Sequence, residues 1–136
     1  MTDAATRPAT PVAKVSWGEL FDKITILRIK VRRLAKPEQV RNAAHELAVL
    51  EETAATAGTL DSGVLAAIDD LTAVNETLWT IEDDIRDCER ARDFGPRFVE
   101  LARAVYHEND RRAAVKRRIN EALASEIVEE KSYAAY

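Results

Sequence analysis

Apolar residues recur at intervals of three and four positions along four segments of the chain, and glycine and proline stand where those segments begin or end. The first segment shows the pattern most clearly, since its apolar residues step by 4, 3, 4 and 3 from Leu20 to Leu34. Such a seam is typical of helices that pack along their lengths, whereas a half-buried strand requires strict alternation. The sequence therefore predicts an all-α fold.

Capping and breaking residues set the expected bounds of these helices. Ser16 and Glu19 form a capping box at the start of the first helix, and Pro37 interrupts the chain after it. Gly58 follows the second helix, and Gly95 with Pro96 separates the third from the fourth. The predicted helices cover residues 17–35, 38–57, 63–92 and 96–124.

Short connections organise these helices into one domain. Because short turns make neighbouring helices antiparallel, we expect two helical hairpins that form a four-helix bundle or a coiled-coil-like dimer. The predicted organisation is a flexible leader over residues 1–14, a helical domain over 15–128 and a C-terminal tail over 129–136 that can extend the last helix. Helices this long leave much apolar seam to cover, which favours a homodimer.

Composition narrows the range of functions. The chain is 46% hydrophobic and 32% charged, with a net charge of −4 that gives no general attraction to nucleic acid. No run of about 18 apolar residues predicts a membrane span. The lone Cys88 excludes an intrachain disulfide, and no Cys/His spacing suggests structural zinc. We expect a cytoplasmic protein that neither binds nucleic acid nor crosses a membrane.

Two charged stretches can face each other across the second hairpin. Residues 76–93 are predominantly acidic, and residues 111–118 (RRAAVKRR) are basic without an acid. In an antiparallel hairpin that turns at Phe94 and Gly95, part of the basic stretch can pair with the acidic one. We interpret these charges mainly as interhelix pairs and a solvated surface.

More informative are the polar residues beside or within the apolar seams. A buried amide or carboxylate is unfavourable unless it has a partner, so such residues either pair with one another or bind something. One interpretation is a network that fixes helix register, and the other is a ligand pocket between helices. The candidate ligand-binding residues are Glu19, Asp22, Lys23, Asn75, Glu82, Arg86, Asn109, Asp110 and Arg112. We expect the three residues of the first helix to approach Glu82, Arg86, Asn109 and Asp110.

Catalytic patterns are weaker. The Glu-x-x-His spacing of di-iron bundles is missing around His45 and His107, which we expect at the surface. Magnesium is a possible cofactor because carboxylates such as Glu82, Asp83 and Asp110 suit it, with arginines to hold phosphates. An all-α magnesium-dependent nucleotide pyrophosphohydrolase is therefore the alternative function. No catalytic residue and no metal ligand is assigned from the sequence, and whether the protein is an enzyme stays open.

Long strings of this chain resemble a family of small bacterial helical proteins of unknown function. The first string is WGELFDKITILRIK at residues 17–30, and the second is VNETLWTIEDDIR at 74–86. Further matching strings are DFGPRF at 93–98, AVYHENDRRA at 104–113, KRRIN at 116–120 and VEEKSY at 128–133. The resemblance covers nearly the whole chain after residue 14.

The resemblance implies a cellular setting and no chemistry. Members of that family are helical and are often encoded near genes for surface-polysaccharide assembly. This setting implies an accessory or interaction protein that works with a glycan-biosynthesis enzyme, or one that binds a sugar nucleotide or another phosphorylated ligand. The matching strings contain the candidate polar residues, which supports the expectation that those residues act together.

Overall fold

The computed structural model describes residues 6–136, and they form four α-helices and one short 3₁₀ turn. Helix α1 spans Trp17–Arg33, α2 spans Pro37–Ala54, α3 spans Ser62–Arg90 and α4 spans Pro96–Ala122, with the 3₁₀ turn at Ala55–Ala57. The prediction of an all-α helical bundle is confirmed. None of the helices in the described part of the chain is long and apolar enough to cross a membrane.

Local chemistry explains where the helices begin. The Ser16 hydroxyl accepts a hydrogen bond from the Glu19 amide at 3.0 Å, which is half of the predicted capping box. At α3, Asp61 caps the helix by accepting from the Val64 amide at 2.9 Å. Pro37 and Pro96 stand at the first turns of α2 and α4, where the missing amide hydrogen is not needed.

The long helices end two residues earlier than the sequence predicts. Arg92 and Ala124 have φ angles of 52° and 48°, in the left-handed region. Beyond them the chain turns back, and the Asp93 and Ser125 amides bond to the Cys88 and Asn120 carbonyls at 2.9 and 2.8 Å. These 6→1 bonds satisfy the last carbonyls and stop the helix, although neither position is the usual glycine. The predicted ends, at about 92 and 124, therefore lie two residues beyond the observed ones.

Helices α3 and α4 form a long antiparallel hairpin, and α1 lies against one half of it. Contacts from α1 to α4 run in opposite order along the two helices, so that Gly18 meets Asn120 and Asp22 meets Arg112. The main core contains Ile24, Leu71 and Ile119, all of them 1% exposed or less. Helix α2 packs on the outer side of α1 and adds Leu47, Leu50 and Ala54 to the edge of this core.

The chain on either side of the helices runs without regular secondary structure. Of the predicted leader, residues 1–5 lie outside the described residues, and residues 8–16 approach α1 in an irregular path. The C-terminal segment does not extend α4 as the sequence suggested. It folds back along the helix instead, so that Glu129 reaches Ser16 and Asn120, and Tyr136 reaches Asp110.

The basic stretch at 111–118 does not pair with the acidic stretch at 76–93 as predicted. Its partners among the described residues are carboxylates of α1, α3 outside that stretch, and the chain nearby: Glu19, Asp22, Asp70, Glu108, Glu121 and Glu130. The reason is helix register. In a hairpin that turns at Phe94 and Gly95, the basic stretch lies opposite the part of α3 around Asp70 and Val74, largely before the acidic stretch. Two acids of α1 also reach Arg112 and Lys116. One ion pair, Arg97 to Asp84 at 3.3 Å, joins α4 to the acidic stretch.

Candidate functional site

A carboxylate is buried where α1 crosses the hairpin. Asp22 is 1% exposed, and Arg112 of α4 donates to both of its oxygens through Nε, at 2.9 and 3.1 Å. The Nη2 group of Arg112 also donates to Asp22. Two nitrogens of one guanidinium therefore hold one carboxylate, which is the geometry that makes an arginine pair strong and directional.

Helix α3 contributes an amide to the same carboxylate. The Nδ2 group of Asn75 donates to Asp22 Oδ1 and to Thr25 Oγ1, both at 2.9 Å. The Thr25 hydroxyl in turn donates to the Asp22 carbonyl at 2.8 Å. One position each on α3 and α4, and two on α1, are thereby fixed relative to one another.

A second set of charges lies one turn earlier on α1. Lys116 Nζ is 2.6 Å from Glu19 Oε2 and 3.8 Å from Asp22 Oδ2, and Lys23 Nζ is 3.6 Å from Glu19 Oε1. We call the seven residues Glu19, Asp22, Lys23, Thr25, Asn75, Arg112 and Lys116 the inner network. Every buried side-chain nitrogen and oxygen in the described part of the chain has a hydrogen-bond partner.

The charges of the inner network stabilise each other. The hydrogen bond to Asp22 is the largest influence on Arg112 and raises the pKa of its guanidinium. Burial opposes this effect, and the negative charges of Asp22 and Glu19 add to it. Arg112 therefore stays fully charged in its half-buried position. These hydrogen bonds and ion pairs join α1 to both helices of the hairpin.

Beside the inner network lies an open cleft of about 520 Å³ between α3, α4 and the middle of α1. We call it the side cleft. Its lining residues are Ile26, Asn75, Leu78, Trp79, Glu82, Asp83, Arg86, Asn109 and Arg112. The lining offers guanidinium, carboxylate and amide groups around one indole, which are groups that bind a polar ligand.

The structure divides the predicted site into two adjoining groups and one outlier. Glu19, Asp22 and Lys23 belong to the inner network, whereas Glu82, Arg86 and Asn109 line the side cleft. Asn75 and Arg112 belong to both. The expected approach of the α1 residues to Glu82 and Arg86 does not include a direct bond, because Glu82 and Arg86 stand about 10 and 16 Å further along α3 than Asn75.

Asp110 faces a different part of the surface. It accepts a hydrogen bond from the Tyr136 hydroxyl at 2.6 Å, and the Tyr136 ring packs against Tyr106 and His107 at centroid distances of 5.3 and 4.6 Å. The Asp110 hydrogen bond raises the pKa of the Tyr136 phenol. Tyr106, Asp110 and Tyr136 line a surface hollow of about 820 Å³, and Asn109 also borders it.

Several residues of the site were left out by the sequence-based selection. Thr25 and Lys116 belong to the inner network, and Trp79 lines the side cleft. Lys116 stands four residues after Arg112, and Trp79 four after Asn75, so both follow a candidate residue on the same helix face. Helical spacing from Asn75 and Arg112 was the signal that could have found them.

The start of α1 is held by a smaller set of polar contacts, which we call the clasp. The Gly18 amide donates to Asn120 Oδ1 at 2.7 Å, and Asn120 Nδ2 donates to Glu129 Oε2 at 3.3 Å. The Ser16 hydroxyl also donates to Glu129. Burial tends to raise the pKa of Glu129, but hydrogen bonds from Ser16, its own amide and Asn120 outweigh this and lower it.

The described residues include no group of three His, Cys, Asp or Glu side chains that could hold a metal ion. Glu82 and Asp83 are the carboxylates that line the side cleft.

Comparison with known proteins adds no assignment, since no family model, curated protein or solved structure matches this chain.

Proposed function

We propose that the protein is an accessory binding protein whose side cleft holds a phosphorylated small molecule. The observation that carries this proposal is that two arginines, Arg86 and Arg112, line one open cleft together with Trp79. A guanidinium suits a phosphate because its donors match two phosphate oxygens. An aromatic side chain beside it gives the rest of a ligand an apolar surface.

Arg112 is prepared for this task by the inner network. Asp22 engages its Nε and Nη2 groups, while Nη1 has no partner among the described residues. The side chain therefore keeps one orientation and retains unused donor hydrogens. A donor that is already fixed loses less conformational entropy when a ligand binds, which favours affinity.

Arg86 supplies the adaptable partner. Its side chain is 69% exposed and is 3.4 Å from Glu82 Oε2, an exposed pair one helical turn apart. Such pairs contribute little free energy, about 0.3–0.5 kcal/mol, so a ligand can displace the contact readily.

The cellular part of the proposal follows from the family resemblance. We place the protein in the cytoplasm as a homodimer that assists a glycan-biosynthesis enzyme, and this enzyme uses a sugar nucleotide or related ligand. The end of the α3–α4 hairpin supports association with another protein, because Phe94 and Val99 are both more than half exposed there. Light scattering measures the mass of the protein in solution and so tests the homodimer. A mass equal to one chain at every protein concentration would contradict the proposed dimer.

A thermal-shift experiment tests the binding site. The probes are inorganic phosphate, UDP and UDP-glucose, each with and without Mg²⁺. At about 100 times Kd a ligand stabilises the folded state by about 2.7 kcal/mol, which raises the Tm of a domain of this size by roughly 10 °C. Arg86→Ala should reduce this shift without lowering the Tm of the ligand-free protein.

Arg90→Ala is the matched control. Arg90 stands one turn further along α3, is 71% exposed and pairs with an acid of its own helix, but it does not line the side cleft. An equal ligand shift in the Arg86 and Arg90 variants would place the ligand elsewhere. Incubation with a nucleoside triphosphate and Mg²⁺ tests the alternative function, and Mg²⁺-dependent hydrolysis would replace the binding proposal with the pyrophosphohydrolase.

A further inference from the structure

The charges that line the side cleft cancel. Glu82 and Asp83 carry two negative charges, and Arg86 and Arg112 carry two positive ones. Behind Arg112, the buried Asp22 neutralises most of its field. A ligand with several phosphates would gain from the arginines but would be repelled by two carboxylates in the same small volume. The cleft therefore suits a ligand with at most one phosphate among many neutral polar groups.

Hydrogen-bond capacity in the cleft is mixed in the same way. Carboxylates only accept, and guanidinium groups only donate. The Nδ2 group of Asn75 is used within the inner network, which leaves its Oδ1 as an acceptor. The side chain of Asn109 has no hydrogen-bond partner among the described residues and offers both a donor and an acceptor. A hydroxyl group also donates and accepts, so a ligand rich in hydroxyls can use every group present.

One wall of the cleft is apolar. Trp79 lies there with Leu78 and Ile26, and all three are half-buried. An indole face attracts the C–H face of a saturated ring, whose hydrogens carry partial positive charge. The volume of about 520 Å³ lies within the range of roughly 300–1,000 Å³ that is usual for small-ligand sites.

We infer that the side cleft recognises a polyhydroxylated ring, the sugar part of a sugar phosphate, seated on the Trp79 indole. Its hydroxyl groups donate to Glu82 and Asp83 and exchange hydrogen bonds with Asn109. A single phosphate meets the free Nη1 of Arg112. This inference rests on the proposed function, since it assigns the ligand class to the same cleft.

Trp79 provides the first test. The chain has two tryptophans, and Trp17→Phe keeps the stacked ring beside Phe21 while making Trp79 the sole reporter of fluorescence. Titration of this variant with glucose 1-phosphate should change the Trp79 emission and give a saturable curve. Inorganic phosphate should give no saturable change, and UDP, which has two phosphates and no hexose, should bind about tenfold or more weakly than glucose 1-phosphate, which is the loss expected for one to two hydrogen bonds.

The second test is whether affinity falls or rises when one negative charge of the cleft is removed. In the Trp17→Phe background, Glu82→Gln should weaken binding of the sugar phosphate about tenfold, since it removes a charged acceptor of hydroxyl hydrogens. In a site built for polyphosphate the same change removes a repulsion, so UDP would bind more tightly. Asp87→Asn is the control, because Asp87 is exposed on the same helix and does not line the cleft. Circular dichroism melting verifies that each variant is folded.

The outcomes separate the two proposals. UDP that binds as tightly as glucose 1-phosphate, and more tightly still in Glu82→Gln, would overturn the sugar assignment and leave the binding site in place. A failure of every probe to change either the Trp79 emission or the Tm would overturn both. Weaker binding of the sugar phosphate in Glu82→Gln, with no change in the Asp87 control, is the supporting result.

Discussion

The two halves of the α3–α4 hairpin differ in what covers them. In the half that α1 crosses, which we call the proximal half, Leu71 and Ile119 have no exposed surface. In the distal half, residues 76–110, the core consists of Ile81, Cys88 and Leu101, which are 5–9% exposed. The apolar residues that pack on this distal core all belong to α3 and α4. Two helices alone bury less apolar surface than three, so the distal half gains less from the hydrophobic effect.

The polar groups of the two halves differ in parallel. Proximal polar side chains are buried and bound across helices, as Asp22 is by Arg112 and Asn75. The acids and arginines of distal α3 pair at the surface, and Glu82 and Arg86 are half or more exposed. The same residue types thus join helices in one half and stay at the surface in the other. The side cleft lies where the two arrangements meet.

Of the predicted changes, removal of the Asp22 carboxylate should lower the free energy of unfolding most. Asp22→Ala leaves Arg112 charged and half-buried without its carboxylate, and it deprives Asn75 of one acceptor. Breaking a buried pair in this way costs about 3–5 kcal/mol. Urea unfolding followed by circular dichroism measures the loss. Asp84→Ala is the distal control, since its pair with Arg97 is exposed, and we expect it to lose about 1 kcal/mol or less.

Equal losses in these two variants would remove the distinction between the halves. A second substitution, Asp22→Asn, separates the loss of hydrogen bonds from the loss of the negative charge. If Asp22→Asn retains much of the stability of the wild type, hydrogen bonding dominates, and if it behaves like Asp22→Ala, the charge of Arg112 dominates.

Gly18 tests how closely α1 approaches α4 in the proximal half. A Cβ atom at this position would lie 2.5 Å from the Lys116 carbonyl oxygen and 2.9 Å from Asn120 Oδ1. The first of these is backbone and cannot rotate away, so the two helices would have to separate. We expect Gly18→Ala to cost about 1–3 kcal/mol in the same urea experiment, as overpacking usually does.

Gly63 is the matched glycine. It lies in the first turn of α3, where an added Cβ would meet only Asp61 Oδ1, at 3.3 Å. The gain in helix propensity from alanine, about 0.5–1 kcal/mol, then makes Gly63→Ala neutral or stabilising. A Gly18→Ala protein as stable as the Gly63 variant would show that α1 does not need this close approach.

Helix existence and the apolar seams could be predicted from sequence, but helix ends could not. The seam positions Ile24, Leu71 and Ile119 are core residues because period and polarity identify them locally. Arg92 and Ala124 end their helices in a conformation that glycine usually adopts, so no residue type in the sequence indicated these two helix ends. On α2, Ala43 is buried and the neighbouring Ala44 is exposed, since two adjacent alanines do not by themselves define a face.

The site shows the same limit. Asp22, Asn75 and Arg112 were among the candidate residues, and the structure brings these three together. The approach predicted from sequence was a different one, from α1 to Glu82, Arg86, Asn109 and Asp110. Which of the other candidates join the three depends on how far α1 is shifted along α3, and no local sequence pattern determines this shift. Glu82 and Arg86 therefore fall outside the inner network. The partners of the clasp lie about a hundred positions apart, and Glu129 was assigned to a tail.

The smallest predicted effect is a pH dependence of the clasp at the start of the proximal half. The pKa of Glu129 lies below its ordinary value of 4.5 in the folded protein. A group with a depressed folded pKa contributes stability above its unfolded pKa and loses it as the pH falls through the folded pKa. Part of the stability should therefore disappear below about pH 4.5, the ordinary pKa of a glutamate.

Glu129→Gln should remove this part of the acid dependence, because a glutamine keeps an acceptor for Ser16 and does not titrate. Urea midpoints of wild type and variant, measured from pH 7 down to pH 3, should differ most at neutral pH and converge in acid. Glu130→Gln is the control, since Glu130 lies at the surface 3.7 Å from Arg117. Midpoints that stay equally far apart at every pH would mean that Glu129 holds α1 by its shape, and that its charge adds nothing.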